Sequence, residues 1–262
     1  MTTDKRIPLS ETPALVKPRD QLGLGGMTLY RRPMAFVREL LKYSNSNFYS
    51  LTLVACTGSY ESDLLVGAGL IKKVRTCYFG LESFGLAPMF TQAANKGAIE
   101  VIEETEASLA FGLKAKLSEV GFMPGRGWIG TDLLKLRPDV KTIVDPYTGE
   151  TLVAFPAMAC DVAVIHALKA DRLGNAIIGR NQAMDVEMAM TARTTIVTAE
   201  EIVDDILTRA DIPAPATHYV AAAPRGAWPT SCHPLYPLSG GEILKYIDAC
   251  NSDQFDDYRR RL

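Results

Sequence analysis

Histidine is scarce in this 262-residue chain, with only His166, His218 and His233 present. No HxxxH and no CxxC pair occurs, so the spacing of a structural zinc site is missing and no metal is expected. The five cysteines, Cys56, Cys77, Cys160, Cys232 and Cys250, are odd in number and irregularly placed. Several lie inside apolar runs, where a free thiol packs as a small hydrophobe. That usage argues against a disulfide framework and for a reducing, cytoplasmic compartment. No apolar stretch is long enough to span a bilayer, and Met1 to Leu15 has no leader-like apolar core. A GxSxG elbow is absent, which removes the main support for a serine hydrolase. Positive charge is not in excess: 28 Lys and Arg stand against 30 Asp and Glu, a net charge of -2. Nucleic acid is therefore not expected as the main partner.

What is present is the composition of a globular protein, 47% hydrophobic and 22% charged, long enough for one full core. Residues 1–262 read as a single domain, with a loosely held N-terminal arm over 1–17. Short β-branched runs alternate with helical patterns, which predicts an α/β fold around an open, mainly parallel sheet with flanking helices. Strands are expected near Gln21, Leu51–Cys56, Lys73–Gly80, Ile99–Ile102, Asp161–Ala167, Thr194–Ala199 and Tyr219–Ala223. Helices are expected over Pro33–Leu41, Asp63–Gly69, Ala87–Lys96, Glu106–Glu119, Glu200–Leu207 and Gly241–Cys250. Thr105 is placed to cap the fourth of these segments.

Four features carry possible chemistry, each with a plainer structural reading beside it. Gly23, Gly25 and Gly26, followed by Met27, end a strand ahead of a helix. Backbone N–H groups there can approach an anion or oxyanion, or the glycines simply make a tight turn. The spacing fits neither a dinucleotide fingerprint nor a P-loop. Glu82 follows a strand between Gly80 and Gly85, either as a cleft carboxylate or as a solvated loop acid. Glu103, Glu104 and Glu106 surround Thr105, where acids complement a helix dipole. The functional alternative makes Glu106 a general base, with Arg126 of Gly125-Arg126-Gly127 as its charge partner. His166 closes an apolar strand and reads as a satisfied core histidine.

Together these segments resemble the alpha subunit of family I coenzyme A transferases. The resemblance runs through Gly23-Leu24-Gly25-Gly26-Met27, where the family usually has Gly-Gly-Phe. It continues in Phe155-Pro156-Ala157 and Asp161-Val162-Ala163-Val164-Ile165-His166-Ala167, then Ala170-Asp171-Arg172-Leu173-Gly174-Asn175. Thr195 to Val203 and Ala223-Pro224-Arg225-Gly226-Ala227-Trp228-Pro229-Thr230-Ser231 complete it. Arg31 to Arg38 and Gly97-Ala98-Ile99-Glu100 are also similar to a ring-opening hydrolase of steroid degradation on the same fold.

The resemblance implies an acyl-CoA enzyme whose nucleophile is a glutamate of a separate beta subunit, forming a glutamyl-CoA intermediate. In the beta half that glutamate follows an early strand; here the corresponding strand ends Cys56-Thr57-Gly58-Ser59. The chain is thus expected to supply the glycine loop (Gly23, Gly25, Gly26, Met27) and Arg126 toward the substrate. Glu106 and Glu82 are its own candidate catalytic acids. Coenzyme A enters as substrate, no bound cofactor is implied, and an alpha-beta or alpha2-beta2 assembly is expected. The hydrolase branch implies instead that Glu106 acts as base, with Arg126 binding a carboxylate or carbonyl. A non-catalytic CoA-binding subunit is the third possibility.

Overall fold

Leu22 and Leu24 face one side of a short strand and Gly23 the other, and this alternation sets the layers of the fold. The structure, a computed structural model, describes residues 4–43 and 50–262. Its elements are β1 (Gln21–Leu24), α1 (Met34–Tyr43), β2 (Leu51–Gly58), α2 (Tyr60–Gly67), β3 (Ile71–Phe79), α3 (Pro88–Asn95) and β4 (Glu100–Glu103). They continue with α4 (Glu106–Leu117), β5 (Phe122–Gly125), α5 (Leu133–Leu136), β6 (Lys141–Val144), β7 (Thr151–Pro156), β8 (Val162–Asp171) and β9 (Ala176–Ile177). Last come α6 (Asp185–Thr191), β10 (Thr194–Val203), β11 (Tyr219–Ala222), α7 (Gly240–Asn251) and α8 (Phe255–Arg259).

The main sheet has the order β11-β10-β8-β1-β2-β3-β4, parallel throughout, with β9 returning antiparallel on the end of β8. Central strands are apolar on both faces, as strands covered on both sides must be. On one face Leu22, Leu24, Leu53, Val162 and Val164 pack with Phe36, Leu40, Tyr60 and Tyr246 in the largest core cluster. On the other, Val54, Cys160 and Ala163 pack with Leu109, Leu113 and Met188 of α4 and α6. Gly23 belongs to that second face, because a Cβ there would stand 2.5 Å from the Met188 sulfur and 2.6 Å from the Cys160 sulfur. A small antiparallel sheet, β5-β7-β6, stands apart from the main one.

Two expectations change. Glu200–Leu207 is not a helix: β10 runs on to Val203, with Glu201, Ile202 and Val203 registered against Lys169, Ala170 and Asp171 of β8. The partner strand continues there, so backbone pairing outweighs local helix preference. Residues 4–17 are not loosely held either. Lys5 and Ile7 exchange backbone hydrogen bonds with Val220 of the edge strand, and Thr12, Pro13 and Val16 are buried.

Candidate active site

Three glutamates near one helix start meet three different fates. Thr105 caps α4 reciprocally: its Oγ1 accepts from the Ser108 N–H at 3.1 Å, and the Thr105 N–H donates to Ser108 Oγ at 2.8 Å. The Trp128 Nε1–H adds a bond to Thr105 Oγ1 at 2.9 Å. Glu104 is buried and accepts from Arg75 Nε at 2.6 Å, Arg137 Nη1 at 2.8 Å and Ser108 Oγ at 2.5 Å. Glu103 is exposed on the edge strand. Glu106, the first residue of α4, is exposed and forms no ion pair or hydrogen bond through its side chain among the described residues.

Glu106 opens onto a cleft of about 530 Å³ at the C-terminal ends of β1 and β2. Its successors at helical spacing, Ala107, Ala110, Phe111 and Lys114, make one wall, with Met27, Cys56, Met184 and Glu187 opposite. Ligand sites of open parallel sheets gather at this end of the strands. Lys114 supplies one positive charge beside the acids Glu106 and Glu187, and the alanines leave the wall low, so the cleft can take a narrow chain.

The glycine loop is built differently from an open anion cradle. The Gly25 N–H donates to Val164 O at 2.9 Å, and the Gly26 N–H donates to both carboxylate oxygens of Asp185 at 3.0 Å. Met27 N–H donates to Tyr30 O, and Thr28 N–H to Thr57 Oγ1. Gly26 has φ +86°, and a Cβ there would press within 2.6 Å of the backbone oxygens of Tyr30 and Arg31. Of the loop's candidates, only Met27 lines the cleft.

The family pattern described as Coenzyme A transferase matches residues 9–222. The chain belongs to the coenzyme A transferase family. Among curated relatives, a 3-oxoadipate CoA-transferase subunit of Pseudomonas knackmussii is 35% identical over 227 residues, 84% of this chain and 79% of that one. The cholesterol ring-cleaving hydrolase IpdA subunit of Rhodococcus jostii is 33% identical over 212 residues, 77% of this chain and 69% of that one. Among solved structures, the glutaconate coenzyme A-transferase of Acidaminococcus fermentans superposes with a TM-score of 0.89 at 28% identity, covering 98% of this chain and 88% of that one. The decarboxylase AibA/AibB superposes at 0.91 with 27% identity, covering 100% of this chain and 98% of that one. The chain is an alpha-type subunit of this family and a transferase.

In this transferase subunit the remaining predicted residues separate. Glu82 lies in a single 3-10 turn at φ +56°, exposed, and does not line the Glu106 cleft. Arg126 is exposed and spends its side chain on Glu150, through Nε at 2.6 Å and Nη2 at 2.5 Å. A Cβ at its neighbour Gly127 would stand 3.3 Å from that of Ala107, and Trp128 bonds Thr105, so the loop, though not the guanidinium contact, reaches the start of α4.

Behind the cleft floor lies a set of charges that sequence reasoning missed. Arg31 is fully buried, donating to Asp185 Oδ2 at 2.6 Å, His166 O at 2.6 Å and Asn181 O at 3.0 Å. Arg32 pairs with Glu61, both fully buried. His166 meets Thr198 Oγ1 through Nδ1 and Glu200 Oε1 through Nε2, each at 2.9 Å. Burial pushes this imidazole below its ordinary value, against the pull of Glu200. Burial works to raise Glu200, but its bonds to His166, Tyr236 and the Arg225 N–H outweigh that and hold the carboxylate low. His166 is thus the satisfied core histidine that its apolar strand predicted.

Cys56 and Cys77 were also unanticipated near Glu106. Their thiols stand 4.0 Å apart. The Cys77 thiol and burial push Cys56 up, whereas the bond from Cys56 draws Cys77 down against burial. The only sequence signal for this grouping is the equal distance of the two cysteines from the ends of successive strands. No described helix is long and apolar enough to cross a membrane.

Proposed function

We propose that this chain is the alpha half of a heteromeric enzyme that moves CoA between an acyl-CoA thioester and a carboxylic acid. A beta subunit supplies the nucleophilic glutamate. That carboxylate attacks the thioester carbonyl and expels CoA thiolate, leaving a mixed anhydride. The thiolate then attacks the glutamyl carbonyl, releasing the first acid and forming glutamyl-CoA, and the acceptor acid reverses the sequence.

One observation carries the reading: the cleft is half a site. It offers at Glu106 a carboxylate unpaired among the described residues, but the neighbouring N–H donors of Gly25, Gly26, Met27 and Thr28 all serve internal acceptors. A tetrahedral oxyanion needs free, preorganised donors, and the end of β2 with the residue after it reads Cys56-Thr57-Gly58-Ser59, without a glutamate. The proposed assembly is alpha-beta or alpha2-beta2, with CoA as substrate rather than a resident cofactor. The five free thiols suit the reducing, cytoplasmic location we assign.

Glu106 itself favours a second reading, hydrolytic C–C cleavage of a cyclic acyl-CoA with this carboxylate as base, because it lines the cleft and has no partner among the described residues. The two separate on Glu106→Gln in the complex with its beta subunit. The transferase reading expects kcat to fall less than about tenfold. A base-dependent hydrolase expects a loss on the order of 10²–10⁴.

A further inference from the structure

Parallel strand register places Cys56 opposite Cys77, since Ala55 pairs with Thr76 and Thr57 with Tyr78. Both side chains leave the sheet on the same face, the one that α4 covers. A carboxylate oxygen of Glu106 joins the two sulfurs, so that all three donor atoms lie within 4.8 Å of one another. Two thiolates on one tetrahedral zinc, each at about 2.3 Å, stand about 3.8 Å apart. The observed 4.0 Å between Cys56 Sγ and Cys77 Sγ is already that separation.

The donor set selects the ion. Two sulfurs and one carboxylate suit a borderline-soft cation and are poorly matched to magnesium or calcium, which take oxygen. Access is also provided, because Cys56 and Glu106 both line the open cleft. Three protein ligands with a fourth position facing solvent is the arrangement of an open zinc site rather than a closed structural one.

A second group, His166, Glu200 and Cys232, has donor atoms equally close. There, however, the His166 Nε2 and Glu200 Oε1 pair directly at 2.9 Å, and Tyr236 also donates to that oxygen. An ion there would have to break a buried imidazole–carboxylate pair, whereas at Cys56 and Cys77 it displaces only the thiol–thiol contact and the 2.8 Å bond from Cys77 Sγ to Cys56 O, which are weak thiol hydrogen bonds.

We propose that Cys56, Cys77 and Glu106 form a three-ligand site for a thiophilic divalent cation of the zinc class, its fourth position turned into the cleft. On binding, both thiols lose their protons to solvent as two sulfur–metal bonds form, and the Glu106 carboxylate supplies the third bond. No oxidation state changes. Occupancy ties up Glu106 without changing the net charge of the cleft, since two protons leave for each dication, so the ion regulates access to this carboxylate. The ligands come from this chain alone, and the site stands whether or not the transferase reading does.

The test is titration of the purified full chain with Co²⁺, in a non-thiol, non-chelating reductant, followed by displacement with Zn²⁺. The proposal expects one Co²⁺ per chain with tetrahedral visible bands and a thiolate-to-cobalt charge-transfer band. It also expects release of about two protons per ion. Cys77→Ser should weaken binding by more than about tenfold and roughly halve the charge-transfer intensity. Glu106→Gln, at an exposed position that the fold does not need, should weaken binding while keeping that intensity. Absence of stoichiometric tetrahedral cobalt in the wild-type chain would overturn the site, as would unchanged binding in both variants. Enzyme turnover enters none of these readouts, so failure here is distinct from failure of the proposed transfer reaction.

Discussion

The mouth of the cleft and the charged interior behind it use the same residue types to opposite ends. Behind β1, Arg31, Arg32, Glu61 and Asp185 are fully or almost fully removed from water, and each charge meets an opposite one. At the mouth, Glu106 is exposed and meets none among the described residues. A buried ion must be paired or the fold suffers, so the interior charges are committed to structure. Only a carboxylate that the fold does not require is free to face a substrate. Proximity to the sheet's C-terminal end does not by itself make a residue catalytic.

The comparison breaks most visibly at Asp185. Asp185→Ala strips the partner from Arg31 and the acceptor from the Gly26 N–H, and should cost about 3–5 kcal/mol of stability. Urea unfolding of the isolated chain measures it; a loss under about 1 kcal/mol would mean that the interior pairs are dispensable.

Asp63 gives the next effect. It is fully buried, accepts from Tyr246 OH at 2.6 Å and from the Phe90 N–H at 2.6 Å, and burial pushes its carboxyl up to about 6. Its folded value lies above the ordinary ~3.9, so the protonated form is the one that folding favours. The stability it contributes is present below about pH 4 and is lost as pH rises through about 6, by about 2–3 kcal/mol in total. Asp63→Asn should flatten that part of the pH dependence, read as the difference between variant and wild-type unfolding curves from about pH 4 to 7.

A smaller effect is expected at Thr105. Thr105→Ala removes the helix cap and the acceptor for Trp128 Nε1, for about 1–2 kcal/mol. At the mouth itself, Glu106→Gln should change stability by no more than about 0.5 kcal/mol. Glu104→Gln, two residues away, should destabilise far more because it loosens Arg75 and Arg137. If the two variants were equally harmless, the contrast between paired and free acids would not hold.

The sequence made the layers legible because strand and helix periods are local. Leu51–Cys56 and Asp161–Ala167 declare themselves by apolar runs, and Thr105 by its position before Glu106. It misread Glu200–Leu207, whose conformation is set by a neighbour strand remote in the chain. The site was legible in part. Glu106 was singled out through a helix start and a family resemblance, and the structure places it on the cleft, yet nothing local distinguishes it from Glu104. That difference lies in Arg75 and Arg137, brought in by other elements. Cys56 and Cys77 escaped for the same reason: a pairing across parallel strands leaves no spacing motif.

Gly25 and Gly26 show the limit from the other side. Their placement at a strand end announces close backbone approach, and the structure has it, but to Asp185 and to the Tyr30–Arg31 backbone rather than to an open cleft. A motif can state the geometry correctly and leave the occupant undetermined.

The central claim is that this chain supplies half of a transferase site and its partner the nucleophile. The most direct measurement incubates the alpha-beta complex with candidate acyl-CoAs, reduces it with borohydride and maps the modified residue by mass spectrometry. The account predicts a reduced glutamate on the beta chain, formed equally well with Glu106→Gln in the alpha chain. No trapped glutamate, together with a ring-opened product that has gained water, would contradict it and assign the chemistry to Glu106.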